Sequence, residues 1–187
     1  MKKLFTLLVF AGLLLTLNQS LSAQEESVAG KLFYTELGGP GVIMSANWDA
    51  RFKTNERLGF GYRIGAGFGI GQFYDKQVVN SYYYSGDYYE QVTRTYYSIP
   101  VGLNYVFGKP HVASTFEVGA GATFLTRKVS LYNYEIDKPG HVIGFATFMY
   151  RLTPVNGGLS FRVGFTPMIG TAGDIFPMMA ISLGYAF

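Results

Sequence analysis

The sequence contains no cysteine, and that absence removes three classes of protein at once. Disulfide-stapled scaffolds, thiolate metal sites and lipid-anchored lipoproteins all need the residue. Histidine occurs only at positions 111 and 141, which restricts histidine-dependent catalysis. Beyond the N-terminus no apolar run approaches the ~20 residues of a spanning helix, so if the chain crosses a membrane it must do so as strands.

The N-terminus has its own pattern. Lys2 and Lys3 precede an apolar stretch from Leu4 to Leu17, and Ser20-Leu21-Ser22-Ala23 supplies small residues before Gln24. This is the layout of a secretory signal peptide cleaved after Ala23. About 14 apolar residues are short for an uncleaved anchor. The expected mature domain is therefore 24–187. Loss of the two lysines takes Lys+Arg from 15 to 13 against 12 acidic residues. A net charge near +1 gives no reason to invoke nucleic acid.

What the chain has in abundance is 24 glycines, 16 phenylalanines and 15 tyrosines in 187 residues, far from ordinary globular usage. These residues are ordered with a period of two. Leu58, Phe60, Tyr62, Ile64, Ala66, Phe68 and Ile70 alternate with Gly59, Gly61, Arg63, Gly65, Gly67 and Gly69, the signature of a strand with one bulky and one small face. The same split recurs over 44–53, 99–107, 116–124, 159–166 and 179–187. Two further segments are weaker: 31–37, with Tyr34 and Glu36 facing away from Phe33 and Leu37, and 141–153. In the latter, Ile143 and Phe145 fall on the opposite face from Phe148, Tyr150 and Leu152, and a bulge could shift the phase.

Eight strands result, joined by links of alternating length. Short turns are predicted at 54–56, 108–110 and 155–157, and longer connections at 71–95, 127–140 and 171–177. Short periplasmic turns and long outer loops characterise transmembrane barrels, with Gly38-Gly39-Pro40-Gly41 as a short outer loop. Pro100 and Pro167 count mildly against the assignment, because a closed barrel has no free edge to accommodate a missing N–H.

Alternation does not by itself say which face is inside. A lipocalin-like soluble barrel would bury the bulky face. The small face is poor in lysine and glutamate for a water-exposed surface, however, and Trp48, Phe52, Tyr105, Phe107, Tyr185 and Phe187 sit where an interfacial aromatic girdle belongs. The predicted fold is an all-β, eight-stranded antiparallel up-and-down transmembrane β-barrel, with both termini periplasmic.

The ending Leu183-Gly184-Tyr185-Ala186-Phe187 resembles the C-terminal signature by which outer-membrane barrels are recognised by their assembly machinery, and implies that Phe187 is an assembly signal. The segments Glu36-Leu37-Gly38-Gly39-Pro40-Gly41, Ser45-Ala46-Asn47-Trp48-Asp49-Ala50-Arg51-Phe52, Ile99-Pro100-Val101-Gly102-Leu103-Asn104-Tyr105, Glu117-Val118-Gly119-Ala120-Gly121-Ala122 and Phe161-Arg162-Val163-Gly164-Phe165-Thr166-Pro167 resemble a family of small, porin-like outer-membrane β-barrel proteins of Bacteroidota. That resemblance implies fold and location, with outer-membrane lipids, lipopolysaccharide and the barrel-assembly machinery as partners, and brings no catalytic motif.

Seven charged side chains are expected in the lumen: Glu36, Asp49, Arg51, Arg63, Glu117, Arg151 and Arg162. They could form a selectivity filter, but an eight-stranded barrel is only wide enough for side chains to fill it, which favours a structural plug over a narrow pore. The glycine string 65–71 lacks the helix that a nucleotide-binding loop requires. A lipid A hydrolase would need His141 as base, with Ser98, Ser130 or Asp137 as partner, and is the less favoured enzymatic alternative; no catalytic residue, metal or cofactor is assigned. The segment 72–95 carries Tyr82, Tyr83, Tyr84, Tyr88 and Tyr89, candidates for contact with an extracellular ligand through rigid amphipathic rings. The favoured reading is that they fill an outer aromatic girdle, on β-rich arms that extend as a hairpin with a turn at Gly86.

Overall fold

The computed structural model of the chain describes residues 28–81, 84–129, 140–171 and 173–187. The strands are β1 (Lys31–Gly38), β2 (Met44–Arg51), β3 (Gly59–Ser81), β4 (Tyr84–Gly108), β5 (Ser114–Val129), β6 (Gly140–Leu152), β7 (Gly158–Phe165), β8 (Met168–Ile169), β9 (Ile175–Phe176) and β10 (Met179–Ala186), with a 3-10 turn at Gly39–Gly41. All neighbours are antiparallel. Each strand of the series β1 to β7 pairs with the next, and β10 pairs with both β7 and β1, from Leu32↔Ala186 to Gly38↔Ala180. The sheet closes on itself.

Ten segments make eight staves, because proline interrupts two of them. At Thr166-Pro167 the stave of β7 and β8 kinks while staying on β6, with the Ala146 N–H donating to the Pro167 carbonyl (3.0 Å) and Phe145 paired to Met168. Pro177 divides β9 from β10, and the Thr166 N–H bridges the break to the Met178 carbonyl (2.7 Å). Pro100 lies inside β4. There the β3–β4 ladder lapses between Ile64↔Val101 and Gly67↔Ser98 and resumes in the same register, which accommodates the missing donor without a bulge.

The two faces of the wall have inverted polarity. Met179, Leu159, Phe60 and Leu103 are 71%, 67%, 66% and 59% exposed on the outside, whereas Glu36, Arg63, Glu117 and Arg162 are at most 1% exposed within. Around the end bearing the short turns, Phe60, Tyr105, Phe107, Phe116 and Tyr150 form a run of ring contacts, with centroids 4.8 to 6.4 Å apart. Trp48 meets Phe187 at 5.5 Å. Both ends of the described barrel lie at this same end, where Lys31 and Phe187 exchange backbone hydrogen bonds of 3.1 and 3.0 Å.

Three features depart from the sequence-based expectations. The segment 141–153 needs no phase shift: β5 and β6 pair without interruption from Ser114↔Leu152 to Phe124↔Val142, and the bulge lies beyond, between Phe124 and Val129. Ile143 and Phe145 are lumenal because the lumen at that level is apolar. The short Gly38–Gly41 link does not stand clear of the barrel; Gly39, Pro40 and Gly41 are buried. Positive φ at Gly39 (66°), tolerated by glycine, helps turn the chain into the barrel mouth. Finally, the 71–95 connection is the extended hairpin that its β-rich arms suggest, but it turns between Ser81 and Tyr84 and not at Gly86, which pairs with Val79. β2 accompanies β3 only as far as Phe68, and β5 accompanies β4 only as far as Ser98, yet β3 and β4 stay paired to Ser81↔Tyr84. The residues beyond Phe68 project as a two-stranded ribbon of roughly 40 Å at ~3.3 Å per residue.

The small face makes room for large lumenal side chains. A Cβ on Gly121 would stand 2.5 Å from the Phe145 ring, so a larger residue there must displace it. Gly121→Val is expected to cost about 1–3 kcal/mol or more through overpacking, read as a smaller fraction of heat-modifiable, folded protein. Ala120→Val, on the exposed face, should leave that fraction unchanged.

Candidate functional site: a charged lumen between two apolar closures

Strand alternation delivers all seven predicted charged residues to the interior, and they form one connected chain. Arg63 donates through Nη2 to Glu36 Oε1 (2.7 Å), and Ser182 Oγ donates to Glu36 Oε2 (3.0 Å). Arg162 Nη1 stands 3.9 Å from Glu36 Oε2, while its Nη2 donates to Glu117 Oε1 (2.8 Å). Arg151 Nη1 donates to Glu117 Oε2 (2.7 Å) and lies 3.6 Å from Asp49. Asp49 in turn accepts from Arg51 and from the Asn104 amide, and Arg51 also reaches Asn104 Oδ1 (2.8 Å) and the Gly59 carbonyl (2.9 Å). The acids are separated by guanidiniums, so no cluster of three or more potential metal-ligating side chains occurs among the described residues.

Several contributors stand outside the seven charged positions. Tyr34 packs its ring against Arg162, 4.2 Å from Cζ to centroid, and Arg63 stands at 5.7 Å from both Tyr34 and Phe145, within reach of cation–π attraction. Toward the ribbon, Tyr96, Leu125, Ile143, Phe145 and Met168 form an apolar closure, with Val42, Phe73, Val129, Phe176 and Met178 against it. The inturned 3-10 segment is tied in by Thr123 Oγ1 donating to the Pro40 carbonyl (2.7 Å) and Ser98 Oγ donating to that of Gly41 (2.9 Å). The plug is thus apolar above and ionic below, where only polar filling was expected. Its upper part was legible in principle, since Ile143 and Phe145 share odd numbering with Arg151.

The opposite end is closed by Ala29, Leu32, Tyr34 and Ala186 and by an arginine in a turn. Arg57 donates to the carbonyls of Pro110 (3.2 Å), Val112 (2.8 Å), Ala113 (3.4 Å) and Thr153 (2.9 Å), clasping three connections together. Burial first, and the like charge of Arg151 second, lower its pKa from the ordinary guanidinium value.

The remaining predicted residues are dispersed. Ser98 is buried with its hydroxyl on Gly41, whereas His141 is exposed with Nδ1 3.0 Å from the Leu125 carbonyl; Ser130 and Asp137 lie outside the described residues. Tyr82 and Tyr83 also lie outside them. Tyr84, Tyr88 and Tyr89 belong to β4, opposite Ser81, Gln77 and Lys76. At the ribbon base, Thr126 Oγ1 accepts from the Tyr97 N–H (2.9 Å) and Arg127 stands 5.8 Å from the Phe73 ring.

No protein-family model matches the chain, and comparison with curated proteins finds no match. Two solved structures are similar in shape. One is the N-terminal β-barrel domain of Pseudomonas aeruginosa OprF, 12% identical, covering 88% of this chain and 100% of that one, with a TM-score of 0.47. The other is Ail, the attachment invasion locus protein of Yersinia pestis, in complex with the heparin analogue sucrose octasulfate, 12% identical, covering 84% and 95%, with a TM-score of 0.34. At these scores the likeness carries no functional information.

Removing Glu117 leaves Arg151 and Arg162 without their shared carboxylate. Breaking a buried pair typically costs ~3–5 kcal/mol, so Glu117→Ala should lower the urea midpoint of the detergent-folded barrel strongly. Lys53→Ala, which removes the exposed 3.4 Å pair with Glu56, should cost about 0–1 kcal/mol.

Proposed function

We propose that the mature chain is an integral outer-membrane β-barrel of the small Bacteroidota kind, non-conducting, serving envelope integrity or surface interaction through its β3–β4 ribbon. The observation that carries this reading is the inverted polarity of the wall. Water would solvate Glu36, Arg63, Glu117 and Arg162 and reject Met179, Leu159 and Phe60; the fold buries the first set and exposes the second. A lipid bilayer is the solvent that rewards this arrangement, and a lipocalin-like carrier is the reverse of it.

On this reading the aromatic run marks the periplasmic interface, both termini are periplasmic, residues 1–23 are a removed signal peptide and 24–187 form the barrel domain. Phe187, held on Lys31 and against Trp48, serves as the assembly signal. The belt contacts lipid and the outer rim lipopolysaccharide. Transport is disfavoured by the stacked apolar and ionic closures, and lipid A hydrolysis by the separate engagements of Ser98 and His141.

In planar bilayers the purified barrel should show no discrete conductance; channels altered by Arg63 or Glu117 substitution would establish a pore instead. Protease added to intact cells should cut within 74–91 and leave the barrel fragment protected. Cleavage only after the outer membrane is permeabilised would place the ribbon in the periplasm and end the surface-interaction reading.

A further inference from the structure

The lumenal ion-pair chain does not balance. Arg51, Arg63, Arg151 and Arg162 face Glu36, Asp49 and Glu117, which leaves one positive charge in excess. An unmatched charge is costly in a wall shielded from water. The excess has a location. Nε and Nη1 of Arg63 and Nε and Nη1 of Arg162 find no hydrogen-bonding partner, and neither do Tyr34 Oη and Thr147 Oγ1. Both guanidiniums lie over the Tyr34 ring, with Cζ 5.7 Å (Arg63) and 4.2 Å (Arg162) from its centroid, and Arg63 is also 5.7 Å from the Phe145 ring. Arg51 and Arg151 contribute no fully buried nitrogen of this kind.

We propose that the lumen binds one small monovalent anion of chloride size, held by the free N–H groups of Arg63 and Arg162 with the Tyr34 hydroxyl donating to it. Water could accept these hydrogen bonds but would leave the charge unbalanced. An interior of eight strands occupied by large side chains favours the smallest anion. The site rests on the closed barrel and its lumenal charges, and would persist if the surface-interaction reading failed.

The test uses the folded barrel purified in detergent, crystallised with bromide replacing chloride. One anomalous peak within hydrogen-bonding distance of the Arg63 and Arg162 nitrogens is expected; a lumen holding only water, or bromide confined to the surface, overturns the proposal. In solution, the unfolding temperature should rise with halide concentration at constant ionic strength against methanesulfonate, as mass action requires for a ligand of the folded state. Tyr34→Phe, which keeps the ring and loses one donor, should still fold and show an apparent halide affinity several-fold weaker. A wild-type barrel indifferent to halide, or a Tyr34→Phe response identical to wild type, contradicts the assignment.

Discussion

In the proposed bilayer setting, a wall whose outer face is apolar has no water on that side to satisfy its backbone, so every N–H and C=O along it needs a partner within the sheet. That requirement forces closure. The β1–β10 seam, seven residue pairs from Leu32↔Ala186 to Gly38↔Ala180, joins the two ends of the described barrel and removes the free edges that an open sheet would present to lipid or to another chain. The proline positions obey the same constraint: Pro100 falls in a lapse of the ladder, while Pro167 and Pro177 lie at kinks where neighbouring carbonyls are taken up by Ala146 and Thr166.

Closure at eight staves fixes a narrow interior, and the interior sets the remaining composition. Arginine suits it because one planar guanidinium can serve two carboxylates, as Arg162 does between Glu36 and Glu117. Such networks are expensive to bury and cost more to break than to replace, so specifying register is a physical reason to retain one. A one-residue slip would turn Glu36, Asp49 and Glu117 toward the apolar exterior. The glycine stripes complement this filling, leaving volume opposite Arg51, Asn47, Tyr96 and Phe145.

The barrel itself was readable in the sequence because a period of two survives whatever fills the lumen. Glu36, Asp49, Arg51, Arg63, Glu117 and Arg162 were readable for the same reason, each standing opposite a bulky face, whereas Arg151 lies on the strand whose phase was ambiguous. The pairing among them was not, since it depends on stagger between strands distant in sequence, as with Glu36 and Arg162. Ile143 and Phe145 obscured the pattern because apolar lumenal residues look like lipid-facing ones when hydrophobicity alone assigns the face. The inturned Gly39–Gly41 segment and the Arg57 clasp depend on backbone carbonyls, which carry no side-chain signature. The ribbon was legible in its β-rich arms, but its turn was not, since Gly86 lies within the ladder opposite Val79 and pairing runs on to Ser81↔Tyr84.

The central claim is that the bulky face meets lipid, and the absence of cysteine makes it directly measurable. Single cysteines at Leu103, Ile181 and Leu183, spin-labelled in the barrel reconstituted into bilayers, report collision with lipid-soluble oxygen and with a water-soluble nickel chelate. The account predicts high oxygen accessibility and exclusion of the chelate at all three positions. Free access of the chelate to those labels in the folded protein would contradict it, and would show that the bulky face meets water.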